Sequence, residues 1–263
     1  MKIAVLGGGN MGGAIAAGAI AAKIAEAKDV TISHARPALL ERLEKTGAEA
    51  NITSNNKEAV NGADLILIAV KPWLAEGVAR EIVPVIDPSY QAVASVVAGV
   101  DFKTLQEWLT IPGGKTPALF RVIPNTAVSL GQSATFICSH NASRQQNEMT
   151  LSVFRPLGKV FEVEEKDMTA VTALASCGIA YILKYIDASF KGGQEIGIDA
   201  KQSLEIVIQT VKGALALLEA NGSLPQEEID KVTTPGGITL KGLAEMERCG
   251  FSDAVISGLK ASK

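Results

Sequence analysis

Two regimes of apolar patterning divide the chain. Up to about residue 162, short apolar runs alternate with stretches of helical spacing; beyond it only helical spacing continues. Lys2-Ile3-Ala4-Val5-Leu6 is nearly continuously apolar, as a strand buried on both faces should be. Residues 30–33, 63–70, 91–97, 118–123, 135–138 and 159–162 read as further strands. Between them, helical spacing is predicted from Gly12 onward and over 37–45, 73–83, 102–109 and 143–155. Residues 51–61 read as a polar loop with a short helix. Such alternation predicts an α/β fold, a Rossmann-type doubly wound and mostly parallel sheet over residues 1–162.

Residues 163–263 carry a different pattern. Met168, Val171, Leu174 and Ala175 share one face of a helical stretch over 164–195, interrupted at Ser176-Cys177-Gly178. Asp199 is a good N-cap for a helix over 200–219, and Pro225 opens another after a polar turn. Helices apolar over most of their circumference need a larger interface to cover them. This half is therefore expected to be an all-helical dimerisation domain; a compact monomeric bundle is the alternative.

Composition narrows the chemistry. The 263 residues are 47% hydrophobic and 20% charged, with a formal charge of −3. That balance offers no electrostatic footprint for nucleic acid or an anionic membrane, and no run reads as long enough to span a bilayer. A chain that enters a strand directly predicts no signal peptide. Three scattered cysteines argue against a disulfide framework and a zinc site, and a cytoplasmic location is expected. With only His34 and His140, there is little material for a histidine triad or a multi-histidine metal site.

Gly7-Gly8-Gly9-Asn10-Met11-Gly12 joins the first strand to the first helix. In that context G-x-G-x-x-G predicts a dinucleotide site: Gly7 for the turn, Gly9 for close approach of a pyrophosphate, Gly12 for helix–strand packing. A glycine-rich turn of another α/β protein has the same form. NAD-binding chains place an acid at the end of the second strand; here Ser33-His34-Ala35-Arg36 has none. Arg36 could pair with a 2′-phosphate and Ser33 could donate to it, so NADPH is expected over NADH; alternatively Arg36 belongs to a surface loop. Val70-Lys71-Pro72 and Pro124-Asn125-Thr126 end strands and belong on the crevice side, Lys71 as a phosphate neighbour or a plain surface lysine.

A second glycine turn, Thr234-Pro235-Gly236-Gly237-Ile238-Thr239, precedes resumed helical spacing at Leu240. It exposes backbone N–H groups with little side-chain bulk, a nest for a carboxylate with the Thr234 and Thr239 hydroxyls beside it. A simple helix N-cap is an equally good reading.

Together with Ala69-Val70-Lys71-Pro72, Arg121-Val122-Ile123-Pro124-Asn125-Thr126 and the stretch from Ala173-Leu174 to Ala180-Tyr181, these motifs resemble the Δ1-pyrroline-5-carboxylate reductase family along essentially the whole chain. The resemblance implies reduction of 1-pyrroline-5-carboxylate to L-proline with NADPH or NADH. It implies that Gly9, Asn10 and Met11 contact the diphosphate, that Asn56 sits near the adenosine ribose, that Val70, Lys71 and Pro72 line the cofactor, and that Asn125 faces the nicotinamide. It further implies that Gly236, Gly237, Ile238 and Thr239 hold the substrate, with the Thr239 hydroxyl near the imine nitrogen. A homodimer, often assembled into a decamer, goes with the family.

The chain departs from the family pattern at Ile179, where proline is usual, at Ala127 after Asn125-Thr126, and at Leu224 before Pro225. Two rival readings stand beside this one: a reductase of the same architecture acting on another cyclic imine or on a 3-hydroxy acid, the latter with Lys184 as base, and a non-catalytic NADP-binding regulator.

Overall fold

A computed structural model describes residues 1–34 and 50–263. The chain divides into two compact units, Met1–Ser176 and Cys177–Lys263.

The first unit is built on eight strands: β1 (Ile3–Leu6), β2 (Val30–Ser33), β3 (Asn51–Thr53), β4 (Leu65–Ile68), β5 (Ala92–Ser95), β6 (Ala118–Ile123), β7 (Ser133–His140) and β8 (Gly158–Glu162). Their order is β3-β2-β1-β4-β5-β6-β7-β8. Every pair is parallel except β6 with β7. The strand order reverses at β1, so the carboxyl ends of β1 and β4 border the crevice where such sheets bind ligands.

Helices α1 (Asn10–Ala21), α2 (Asn56–Val60), α3 (Pro72–Ile82), α4 (Phe102–Leu109) and α5 (Arg144–Phe154) cover the sheet. Alternation along each strand feeds two cores. Ile3, Val5, Leu65 and Leu67 pack with Ile15 of α1 and Phe154 of α5, while Ala4, Leu6, Ile66 and Ile68 pack with Ala79 and Ile82 of α3 and Leu105 of α4. Burial on both faces is why these strands read as unbroken apolar runs.

Strand β3 was not legible as one. Asn-Ile-Thr is short, largely polar and paired only to β2, so it lacks the two-sided burial that marks the others. The helix expected over 37–45 lies outside the described residues.

The sheet ends at Glu162, but contacts carry the first unit on to Ser176. Met168 is fully buried in the core, and the Ser176 hydroxyl donates to the Pro124 carbonyl at 3.2 Å. Helix α6 (Met168–Val171) runs through a π-helical segment, Thr172–Cys177, into α7 (Gly178–Glu195). The irregularity at Ser176-Cys177-Gly178 is thus a π turn inside one continuous helix, not a break. With proline absent at Ile179, no backbone donor is lost there. Continuity also corrects the expectation that no segment is long enough to span a bilayer. Residues 165–195 form one 31-residue helix, of mean hydropathy 1.4 in its most apolar window, long and apolar enough to do so.

The second unit contains α7, α8 (Ala200–Asn221), α9 (Pro225–Val232), α10 (Ile238–Arg248) and α11 (Phe251–Ala261). Asp199 caps α8, accepting from the N–H groups of Lys201 and Gln202. Apolar side chains stand exposed along these helices, among them Ile182, Leu183, Leu215 and Ile256. In this unit an apolar hollow of about 500 Å3 lies between Tyr185 of α7 and Phe251 and Val255 of α11.

Candidate active site

At the carboxyl end of β1, Gly7 takes φ of 109°, and its N–H and that of Gly8 both donate to the Ser33 carbonyl. A Cβ on Gly7 would lie 2.6 Å from the Ala69 carbonyl oxygen, and one on Gly12 would lie 2.1 Å from the Gly7 oxygen. Both glycines are thus required by the protein's own packing. Gly9 is different: a Cβ there would meet nothing within 4 Å. The open space above Gly9 is where a bound group would approach the backbone.

Gly9 is also the N-cap of α1, and it brings no side chain to cap the N–H groups of Asn10, Met11 and Gly12. No acidic residue sits in that first turn. An uncapped helix N-terminus, free of competing carboxylates and reached across a glycine, suits a diphosphate. Gly7, Gly8, Ser33, Ala69 and Val70 therefore meet at one point. Lys71 and Pro72 follow at once as the exposed N-cap and first residue of α3.

The corner at the end of β2, where a ribose is expected, is assembled from three elements. The Ser33 side chain is fully buried and its hydroxyl donates to Asn56 Oδ1 at 2.5 Å. Asn56 Nδ2 in turn donates to Glu81 Oε2 of α3 at 2.8 Å. In this arrangement the single hydroxyl proton of Ser33 is directed to Asn56, so Ser33 also orients that side chain. Arg36 lies outside the described residues.

Asn125, at the end of β6, is buried and caps the 3-10 turn Thr126–Leu130, its Oδ1 accepting from the Ala127 N–H at 3.0 Å. Its own N–H donates to the Ser133 hydroxyl, which is paired with that of Thr135. The cap geometry accepts Ala127, since the contact uses only the backbone N–H that proline would lack.

Within the second unit, Thr234, Gly236, Gly237, Ile238 and Thr239 form one compact turn. The Gly237 N–H donates to the Thr234 carbonyl at 2.9 Å, and Gly236 has φ of 73°. Gly237 is the N-cap of α10, again with no side-chain cap and no acid in the first turn. A Cβ on Gly237 would meet Thr234 Oγ1 at 2.7 Å, so glycine lets Thr234 fold over the turn. The backbone N–H and hydroxyl of Thr239 belong to the same open end, and its side chain is exposed in this unit. Lys184 lies on α7, exposed and 3.7 Å from Asp187.

Glu81, Ser133 and Thr135, which hold Asn56 and Asn125 in place, carry no local signal in the sequence: Glu81 is one acid on the polar side of a helix, and the hydroxyls are ordinary strand residues until the fold joins them.

Comparison with known proteins places the chain. Residues 165–263 match the family model described as "Pyrroline-5-carboxylate reductase dimerisation", and residues 2–99 match "NADP oxidoreductase coenzyme F420-dependent". Pyrroline-5-carboxylate reductase 2 of Dictyostelium discoideum is 32% identical over 99% of this chain and 90% of its own length. The chain belongs to the pyrroline-5-carboxylate reductase family. Pyrroline-5-carboxylate reductase 1 of the same organism is 34% identical over 99% of this chain, which spans only 48% of that longer protein. The crystal structure of Plasmodium falciparum pyrroline carboxylate reductase with NADP bound superposes with a TM-score of 0.89 at 28% identity, covering 100% of this chain and 95% of that one. These matches place an NADP-type oxidoreductase region within the first unit, over residues 2–99, and a dimerisation region over residues 165–263.

Proposed function

We propose that this chain is an NAD(P)H-dependent oxidoreductase acting on a CH–NH group, which reduces 1-pyrroline-5-carboxylate to L-proline, the last step of proline synthesis. The observation that carries the reading is the pair of uncapped, glycine-entered, acid-free helix N-termini at α1 and α10. One opens at the switch point of the sheet and suits a diphosphate; the other is a small turn with two threonine hydroxyls and suits a carboxylate.

Gly7, Gly9, Asn10, Met11 and Gly12 hold the diphosphate, Asn56 serves the ribose, and Val70, Lys71, Pro72 and Asn125 line the rest. Bound there, the reduced nicotinamide supplies a hydride. The turn at Gly236, Gly237 and Ile238 holds the substrate carboxylate, and the Thr239 hydroxyl is the hydrogen-bond partner or proton relay at the imine nitrogen. A protonated imine is already electrophilic, so positioning supplies most of what the chain must contribute. That suits an inventory with two histidines.

NADPH is preferred over NADH, supported by the absence of an acid directly after β2 and by Arg36. The exposed apolar faces of the helical unit support a homodimer, assembled further into a decamer. Three free cysteines support a reducing compartment, the cytoplasm.

The deciding assay follows NADPH oxidation with 1-pyrroline-5-carboxylate, beside NADH and beside proline with NADP at high pH. Turnover with the imine is expected; its absence, with NADPH still bound, would leave a regulator or a reductase of another substrate.

A further inference from the structure

We propose that Glu81 is a specificity-determining residue for the cofactor, a carboxylate brought by the fold to the ribose corner where it limits the preference for a 2′-phosphate. The inference rests on the reading that a dinucleotide occupies the crevice at Gly7 to Gly12.

In a sheet of this topology the end of the second strand meets the adenosine ribose, and an acid there accepts from the 2′-hydroxyl. Residues 33–36 contain no acid. The tertiary structure brings one from another element: Glu81, 25 positions after Asn56, comes within two hydrogen bonds of the β2 end. Ser33 holds the oxygen of the Asn56 amide at 2.5 Å and Glu81 holds its nitrogen at 2.8 Å. Both ends of the amide are engaged, which fixes its orientation and anchors the carboxylate beside it.

The consequence is one of charge. Asn56 is neutral and half-buried, Ser33 is neutral and buried, and Glu81 is exposed with a negative charge. A 2′-hydroxyl can donate to such a corner. A 2′-phosphate brings roughly two negative charges at neutral pH and only acceptors. At any position touching Asn56 it lies close to Glu81, at a separation comparable with the screening length of about 8–10 Å, so salt weakens the repulsion without abolishing it. An arginine at position 36 supplies charge of the opposite sign, so the proposed NADPH preference is the balance of the two.

The test measures dissociation constants of NADPH and of NADH for the full chain, by titration at low and at physiological ionic strength. The variants are Glu81→Gln, which keeps an acceptor for Asn56, Glu81→Ala, and Glu81→Lys. Glu81→Gln should raise the affinity for NADPH relative to NADH by about threefold to tenfold at low salt. The gain should shrink as salt is added, and Glu81→Lys should carry it further. A ratio unmoved in Glu81→Gln, or moved only in Glu81→Ala, would mean that Glu81 merely braces Asn56 and would overturn the inference. If the wild-type chain binds neither dinucleotide, the cofactor reading falls and this inference with it; binding of both at an unchanged ratio removes only the inference.

Discussion

Arg121 and Glu165 form an ion pair at 3.0 Å, joining the middle of β6 to the segment that leads out of the sheet. The same carboxylate accepts from the Phe102 N–H at the start of α4, at 2.6 Å. Arg121 is buried and its Nε has no partner among the described residues, so Glu165 is the carboxylate it pairs with directly. Removing Glu165 leaves the buried charge with only the weaker attraction of Asp101. Glu165 is itself partly exposed, which moderates the cost. Glu165→Ala should therefore destabilise the first unit by about 2–3 kcal/mol. An unchanged urea midpoint would show that water replaces the carboxylate.

The glycines of the first loop should separate into two kinds. Gly12→Ala places a methyl against the Gly7 oxygen and the Ala69 side chain, pushing α1 off the sheet at a cost of about 1–3 kcal/mol. Gly9→Ala has no such conflict and keeps an ordinary φ of −70°, so thermal stability should hold. Its added methyl enters the space assigned to the diphosphate, and NADPH affinity should fall at least about tenfold, since buried polar groups would lose their partners. Equal Tm losses in both variants would contradict the assignment.

Thr239→Ala should lower kcat by roughly 10²-fold, the scale of a lost proton-relay or transition-state hydrogen bond, while the Kd for NADPH stays put. Thr239→Ser should recover most of the rate. Steady-state kinetics beside cofactor titration separate the two effects; a rate unaffected by Ala removes Thr239 from the chemistry.

Glu228 sits where α8 hands over to α9. Hydrogen bonds from Lys231, Ser223 and Asn221, in that order of weight, pull its carboxyl down to about 2. Its folded value lies below the unfolded one of about 4.3, so its stabilising contribution is complete above that pH and fades as pH falls toward 2. The protection factors of the amides over residues 221–232, taken against the intrinsic exchange rate at each pH, should fall across that acidic window. Glu228→Gln should show low protection at every pH; a wild-type protection factor flat between pH 5 and 2 would dismiss the clamp.

Much of the fold was legible because its signals are local. Strands buried on both faces read as continuous apolar runs, Asp199 and Pro225 announce helix starts, and Gly7 to Gly12 sits between a strand and a helix. The half-exposed edge strand β3 escaped because pairing, not composition, makes it a strand. The π turn at Thr172–Cys177 escaped for a related reason: a disturbed helical period is the same in sequence whether the backbone breaks or widens by one residue.

The sequence by itself determined the class of the molecule: an alternating half that must form a parallel sheet, a helical half with too much apolar surface, and two glycine turns suited to anions. Only the tertiary structure decided which side chains meet at the end of β2. Ser33, Asn56 and Glu81 lie on three separate elements, and their contact depends on how β2, α2 and α3 pack. Likewise it is the packing of β1 against β4 and α1 that distinguishes Gly7 and Gly12, required for the fold, from Gly9, which leaves room for a guest. Motifs are written in neighbours along the chain, whereas charge, burial and free space are properties of neighbours in three dimensions.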